Sequence, residues 1–217
     1  MKLSMKNLFF LLLAIASLNA FAQETLEARL AKVPKPEEPE SVVKWAIDAQ
    51  DMELLKYGVD KAGAAIKKMA YSYNNTSLNS GATFLDMTPL MQAAANGNLE
   101  MVNYLLEKKV NVNAAAKAPV YATENKIYKG SMKGITALHI AVQKGNKEIV
   151  QALIDGGADF MTAYVEIKPA IGSRGLSSNA KQWAGVHEQT EIEEMLKNNK
   201  KGAFKAMMAN PSGKKKK

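Results

Sequence analysis

ITALHIAVQKGNKEIVQALIDGGADF, residues 135–160, is the stretch that decides the architecture. Thr136 is placed to cap a first helix, and Leu138, Ile140, Ala141 and Val142 make that helix apolar over barely two turns. Gly145 supplies a left-handed stop, and Asn146 caps a second helix. There Ile149, Val150, Leu153 and Ile154 recur at i, i+1, i+4 and i+5 and form one buried stripe, while Lys147, Glu148, Gln151 and Asp155 face water. Gly156 and Gly157 end the unit. Isolated helices shorter than about 12–15 residues are marginal in water, so this antiparallel pair is stable only when stacked on copies of itself.

The segment resembles the ankyrin repeat. The T-P-L-H-x-A opening of that family is met by Thr136, Ala137, Leu138, His139 and Ala141, and its G-A-D close by Gly157, Ala158 and Asp159. The resemblance implies a structural role for His139, bracing neighbouring repeats.

Copies of the unit occur on both sides. Residues 88–112, TPLMQAAANGNLEMVNYLLEKKVNV, place Thr88 as cap, Pro89 as first helical residue, Gly97 and Asn98 as stop and restart, and Met101, Val102, Leu105 and Leu106 as the stripe. Residues 41–64 keep the rhythm, with Ala46 as the small residue and Met52, Glu53, Leu54 and Leu55 opening the second helix, but lack the Thr-Pro opening and the central glycine. Residues 179–199 keep Ala184, Ile192, Met195 and Leu196 and carry more charge. Worn outer copies suit a solenoid, because terminal repeats turn one face to water. The expected fold is all-α, a solenoid of about four helix-turn-helix repeats with elongated β-turn fingers.

Ala46, Ala93, Ala141 and Ala184 are 47, 48 and 43 residues apart. The ankyrin period is about 33, so each junction holds about 10 to 15 extra residues, placed where the family has its finger. The added segments, 67–85, 114–134 and 161–178, contain five of the seven tyrosines. Tyrosine mixed with Asn, Ser, Gly and Lys is the composition of binding loops, since a rigid ring gives contact area at low entropic cost. The same rings would also serve to cover their own loops. Taken as a binding edge, the partner-binding candidates are Tyr71, Tyr73, Tyr121, Lys126, Tyr128, Tyr164 and Arg174.

The chain starts as a secretory leader does: Lys2 and Lys6, an apolar run from Leu8 to Ala16, and Ala20-Phe21-Ala22 as a cleavage site. That run is too short for about 30 Å of hydrocarbon. The expected divisions are a signal peptide over 1–22, a Pro/Glu-rich linker or N-terminal cap over 23–40, a repeat domain over 41–202 and a basic disordered tail over 203–217. There is no cysteine, which excludes disulfide, thiolate and cysteine-lipid chemistry and fits export to a bacterial periplasm. The formal charge of +8 is uneven. Without Lys2, Lys6 and the terminal run Lys214 to Lys217, the body carries +2, which is no basic domain. The lysine tail reads as solvated, with weak attraction to anionic envelope components at low salt.

Only two histidines are present, and His187 falls at a turn, where a surface position is expected. No metal-ligand spacing and no G-x-S-x-G elbow occur. The acidic Glu191, Glu193 and Glu194 open a helix, where they favour the positive dipole end. The expectation is therefore a non-catalytic periplasmic module without cofactor or metal, binding protein and not nucleic acid. It resembles exported bacterial ankyrin proteins that act as inhibitors or immunity partners, which implies a periplasmic enzyme, such as a cell-wall peptidase, as partner. The alternatives are a scaffold for a protective enzyme or envelope complex, and an enzyme of unfamiliar type.

Overall fold

The computed structural model describes residues 24–75, 82–123, 126–161, 163–169 and 176–199. The leader-like start, the lysine-rich tail and Arg174 lie outside the described residues. Five-residue α1 (Leu26–Leu30) precedes four helix pairs: α2 (Pro39–Asp48) with α3 (Met52–Ala62), α4 (Pro89–Ala95) with α5 (Leu99–Glu107), α6 (Ala137–Gln143) with α7 (Lys147–Asp155), and α8 (Ala180–Val186) with α9 (Thr190–Asn198). A 3-10 turn, Gly63–Lys67, follows α3.

The pairs share a local code, complete in the second and third and present at one helix start in the first and fourth. Thr88, Thr136 and Asn179 accept from the backbone N–H three residues on and start the first helices, while Asp51, Asn98 and Asn146 do so for the second helices. Four equivalent residues take the left-handed turn between helices: Gln50 (φ 53°), Gly97 (71°), Gly145 (70°) and Glu188 (57°). The outer repeats thus keep the turn geometry although their sequences lack the glycine. The four small residues Ala46, Ala93, Ala141 and Ala184 are fully buried. No larger side chain would let the first helices α2, α4, α6 and α8 stack as closely as they do.

The all-α expectation is corrected by the structure. The three insertions fold as hairpins, β1 (Tyr71–Asn75) with β2 (Ala82–Met87), β3 (Ala116–Thr123) with β4 (Lys126–Ile135), and β5 (Tyr164–Pro169) with β6 (Leu176–Asn179). They join into a six-stranded antiparallel sheet in sequence order. The reason is a match of spacings. Strands lie about 4.8 Å apart, so two strands span about 9.6 Å, and packed helices lie about 8–10 Å apart. One hairpin per helix layer therefore brings neighbouring hairpins into hydrogen-bonding range. Leu85 pairs with Lys117 between the first two hairpins, and the run Gly130 to Lys133 pairs with Glu166 to Pro169 between the last two.

One face of the sheet joins the core. Phe84, Met87, Ala116, Ala118, Met132 and Val165 are buried, while Lys117, Ser131, Lys133 and Tyr164 alternate outward. Gly134 (φ 83°) sits where β4 crosses β5, and a Cβ there would lie 2.1 Å from the carbonyl oxygen of Tyr164. Repeats are also tied by side chains: Asn96 Nδ2 donates to the Ile47 carbonyl at 2.9 Å, and Asn113 Oδ1 accepts from the Asp159 N–H at 2.7 Å. The segment before the repeats docks as a cap, with Val33 buried and the Arg29 guanidinium donating to Asp51 at 2.7 Å and also to Glu53.

Candidate protein-binding face

The hairpins place the tyrosines unequally. Tyr71 is 7% exposed, and its hydroxyl bonds the side-chain oxygen of the fully buried Gln92. Gln92 Nε2 in turn donates to the Lys44 carbonyl at 3.1 Å and to Asp48 Oδ1 at 2.6 Å, so Tyr71 welds the first hairpin across α2 and α4. Tyr164, 46% exposed, stands on the outer face opposite Asn179. In the backbone register Tyr73 pairs with Phe84, Tyr121 with Gly130, and Lys126 with Thr123; Tyr128 lies within β4. The topology thus brings six of the seven candidates into one sheet, the seventh being Arg174.

Across the outer face runs a row of charge. Lys117 faces Lys133 in the register between β3 and β4, Lys117 pairs with Asp86 at 2.9 Å and Lys133 with Glu166 at 2.9 Å. Like charges directly opposite would repel, and the flanking carboxylates offset that. Such exposed pairs contribute little to stability, and their effect is to keep this face hydrated and polar.

Beneath the fourth repeat lies a cluster the sequence reading did not assemble. Trp183 meets His139 edge-on, ring centres 6.5 Å apart, and packs at 4.4 Å against His187. His187, expected at the surface, is half-buried. His139 Nδ1 accepts from the Thr136 N–H at 3.3 Å and closes a capping box. Burial pushes the His139 pKa down to about 4, opposed by the backbone of Ala163 and the charge of Asp159. Burial also lowers His187. Burial thus disfavours the charged form of both rings; His139 caps α6, and both imidazoles pack edge-on against Trp183. Among the described residues no group of three or more His, Cys, Asp or Glu is arranged to hold a metal, and no helix is long and apolar enough to cross a membrane.

A family model described as ankyrin repeats (3 copies) matches residues 12–163. Among curated proteins, the ankyrin repeat and SAM domain-containing protein 6 of Rattus norvegicus is 40% identical over 72 residues, 33% of this chain. The match spans 7% of that relative. Capped helix pairs stacked on invariantly small residues, with a finger at every junction, agree with the family match: the chain belongs to the ankyrin-repeat family, whose members are protein–protein interaction modules and typically non-catalytic.

Proposed function

We propose that this chain is an exported, periplasmic binding module that holds a periplasmic enzyme, such as a cell-wall peptidase, inactive and so protects the cell that makes it. The observation carrying this reading is the fusion of three lengthened fingers into one sheet, which offers a partner a broad, pre-ordered face with an exposed tyrosine. A rigid face loses less entropy on binding than three separate loops would. Support for export is the leader-like start of the chain and the lack of cysteine.

Capture of partners from a periplasmic extract by the mature chain, with mass spectrometry and an activity assay of what is captured, tests the reading. The expected result is a recovered enzyme whose activity falls as the complex forms. Tyr164→Ala should weaken that complex by roughly thirtyfold if the ring is an anchor, with Tyr73, Tyr121 and Tyr128 next in order. A complex in which the enzyme stays active replaces the inhibitor with a scaffold. A mature protein that does not begin at Gln23, or that stays with membranes after carbonate washing, removes the periplasmic part.

A further inference from the structure

Two breaks in strand register decide which side chains meet on the outer face of the sheet. In the second hairpin Ala116 pairs with Ile135 and Lys117 with Lys133, so Gly134 (φ 83°) is skipped as a bulge. Counted on from Ala116 and Ile135 without the skip, Lys117 would face Gly134, and Lys133 would face Ala118. The bulge instead sets the two lysines directly opposite each other. In the first hairpin, between the pairs Tyr71–Met87 and Tyr73–Phe84, β2 has two residues, Leu85 and Asp86, against the single Ser72. Asp86 takes φ 63° there, a left-handed conformation that glycine adopts with less strain, and its carboxylate meets Lys117 at 2.9 Å.

The result is a row of four charges across β2 to β5 on the outer face, in the order Asp86, Lys117, Lys133, Glu166. With strands about 4.8 Å apart, the row spans about 14 Å. Negative, positive, positive, negative is not the order that stabilises a sheet most. Exchanging Lys133 with Glu166 would put opposite charges at every junction, whereas the order present repels at its centre. Among the described strand pairings, Lys117 with Lys133 is the only one that sets like charges opposite each other.

This order also discriminates among occupants. The four charges cancel, and a carboxylate bounds the lysine pair on each side, so an extended polyanion such as a nucleic acid meets repulsion at both ends of the pair. A second copy laid face to face about a two-fold axis would bring lysine pair onto lysine pair. What the row complements is the inverse order, two neighbouring carboxylates flanked by cations. We infer that Lys117 and Lys133 form a recognition site for a pair of carboxylates on the surface of a partner protein, with Asp86 and Glu166 receiving basic residues that flank that pair. The incoming carboxylates relieve the central repulsion, and the flanking charges reject a surface of the opposite order. The inference rests on the reading that the sheet is a protein-binding face, and on neither the compartment nor inhibition.

Two synthetic peptides of identical composition serve as probes: acetyl-Lys-Gly-Glu-Gly-Glu-Gly-Lys-amide and its inverse, acetyl-Glu-Gly-Lys-Gly-Lys-Gly-Glu-amide. Alternate residues of an extended chain lie on one side about 6.6 Å apart, within reach of long lysine side chains. Each peptide is titrated into the isotope-labelled full chain, and the amide signals of residues 117 and 133 are followed. Contacts between exposed charges are weak, so the first peptide should saturate with a Kd of about 1–5 mM and the inverse should bind roughly fivefold less tightly. Lys133→Glu combined with Glu166→Lys keeps the net charge and the ion pair but alternates the row. This double variant should lose the preference for the first peptide while melting at the same temperature or higher. If it fails to fold, the preference of the parent chain alone decides. Equal binding of the two peptides, no saturable shift up to about 20 mM, or a preference unchanged in the double variant overturns the site. Tighter binding of a thymidine oligonucleotide about ten nucleotides long, or of equimolar phosphatidylglycerol and phosphatidylcholine vesicles, overturns the assignment to a protein. Failure of the peptides leaves an enzyme-capture result standing, and failure of the capture leaves the peptide preference standing.

Discussion

At the scale of single residues, the sharpest consequence concerns His139. Its folded pKa of about 4 lies below the ordinary value of 6.5, so the unfolded chain binds more protons between those values. Its contribution is therefore fully present above about pH 6.5 and is lost as pH falls towards 4, a change of about 3 kcal/mol. His187 acts in the same direction through its own burial. His139→Gln should keep the capping box, because Gln182 closes the equivalent box in α8, and should flatten most of the pH dependence. Urea midpoints of both proteins from pH 8 to 4 decide it, and parallel curves would contradict the assignment.

Three backbone positions give a second residue-scale prediction, with opposite signs. Gln50 and Glu188 hold a left-handed conformation that costs an L-residue roughly 1–2 kcal/mol, partly offset by the extra chain entropy a glycine loses on folding. Gln50→Gly and Glu188→Gly should each raise stability by about 0.5–1 kcal/mol. Gly134→Ala combines a positive φ with a contact on the Tyr164 carbonyl, and should destabilise by several kcal/mol or shift the β4–β5 register. Thermal denaturation of the three variants tests both signs, and equal melting temperatures would mean that neither geometry is strained.

At the scale of elements, the helices are held by a narrow stripe. Leu105 and Leu153 are fully buried on the adjoining second helices α5 and α7. Leu105→Ala or Leu153→Ala should each cost roughly 2–5 kcal/mol in denaturant titration. Midpoints that hardly moved would mean that the stripe collapses around the loss. The strands were legible in part. Ala-Lys-Ala at 116–118, Ser-Met-Lys at 131–133 and Tyr-Val-Glu-Ile at 164–167 alternate with period two, a strand signal. Their glycines, serines and asparagines match a loop equally well. A lone hairpin is marginal in water, so what turned these segments into a sheet was the neighbour beside each of them.

For the whole molecule, stability should follow position along the stack. In a solenoid each repeat contacts only its neighbours, so the outer pairs lose one interface. Amide exchange should be slowest in α4, α6 and the Ala116–Ala118 and Met132 region, and fastest in α1 and α9. The sheet modifies this gradient by adding a second set of inter-repeat bonds, so the inner ends of the strands should exchange with the inner helices. Uniform protection would mean that the molecule opens as one unit. Protection confined to the helices would mean that the sheet opens separately.

Sequence by itself determined the helix pairs, their caps and turns, and the alanines on which they stack, because each is set by residues within a few positions of one another. It also located the fingers, from the excess of the spacing over the family period. Tertiary structure alone decided that the fingers form one sheet, and that Tyr71 points into the core while Tyr164 points out. These depend on pairings between hairpins about 30 to 50 residues apart, whose register follows from the match between two strands and one helix layer. No local pattern encodes that match, since it exists only once the helices are stacked.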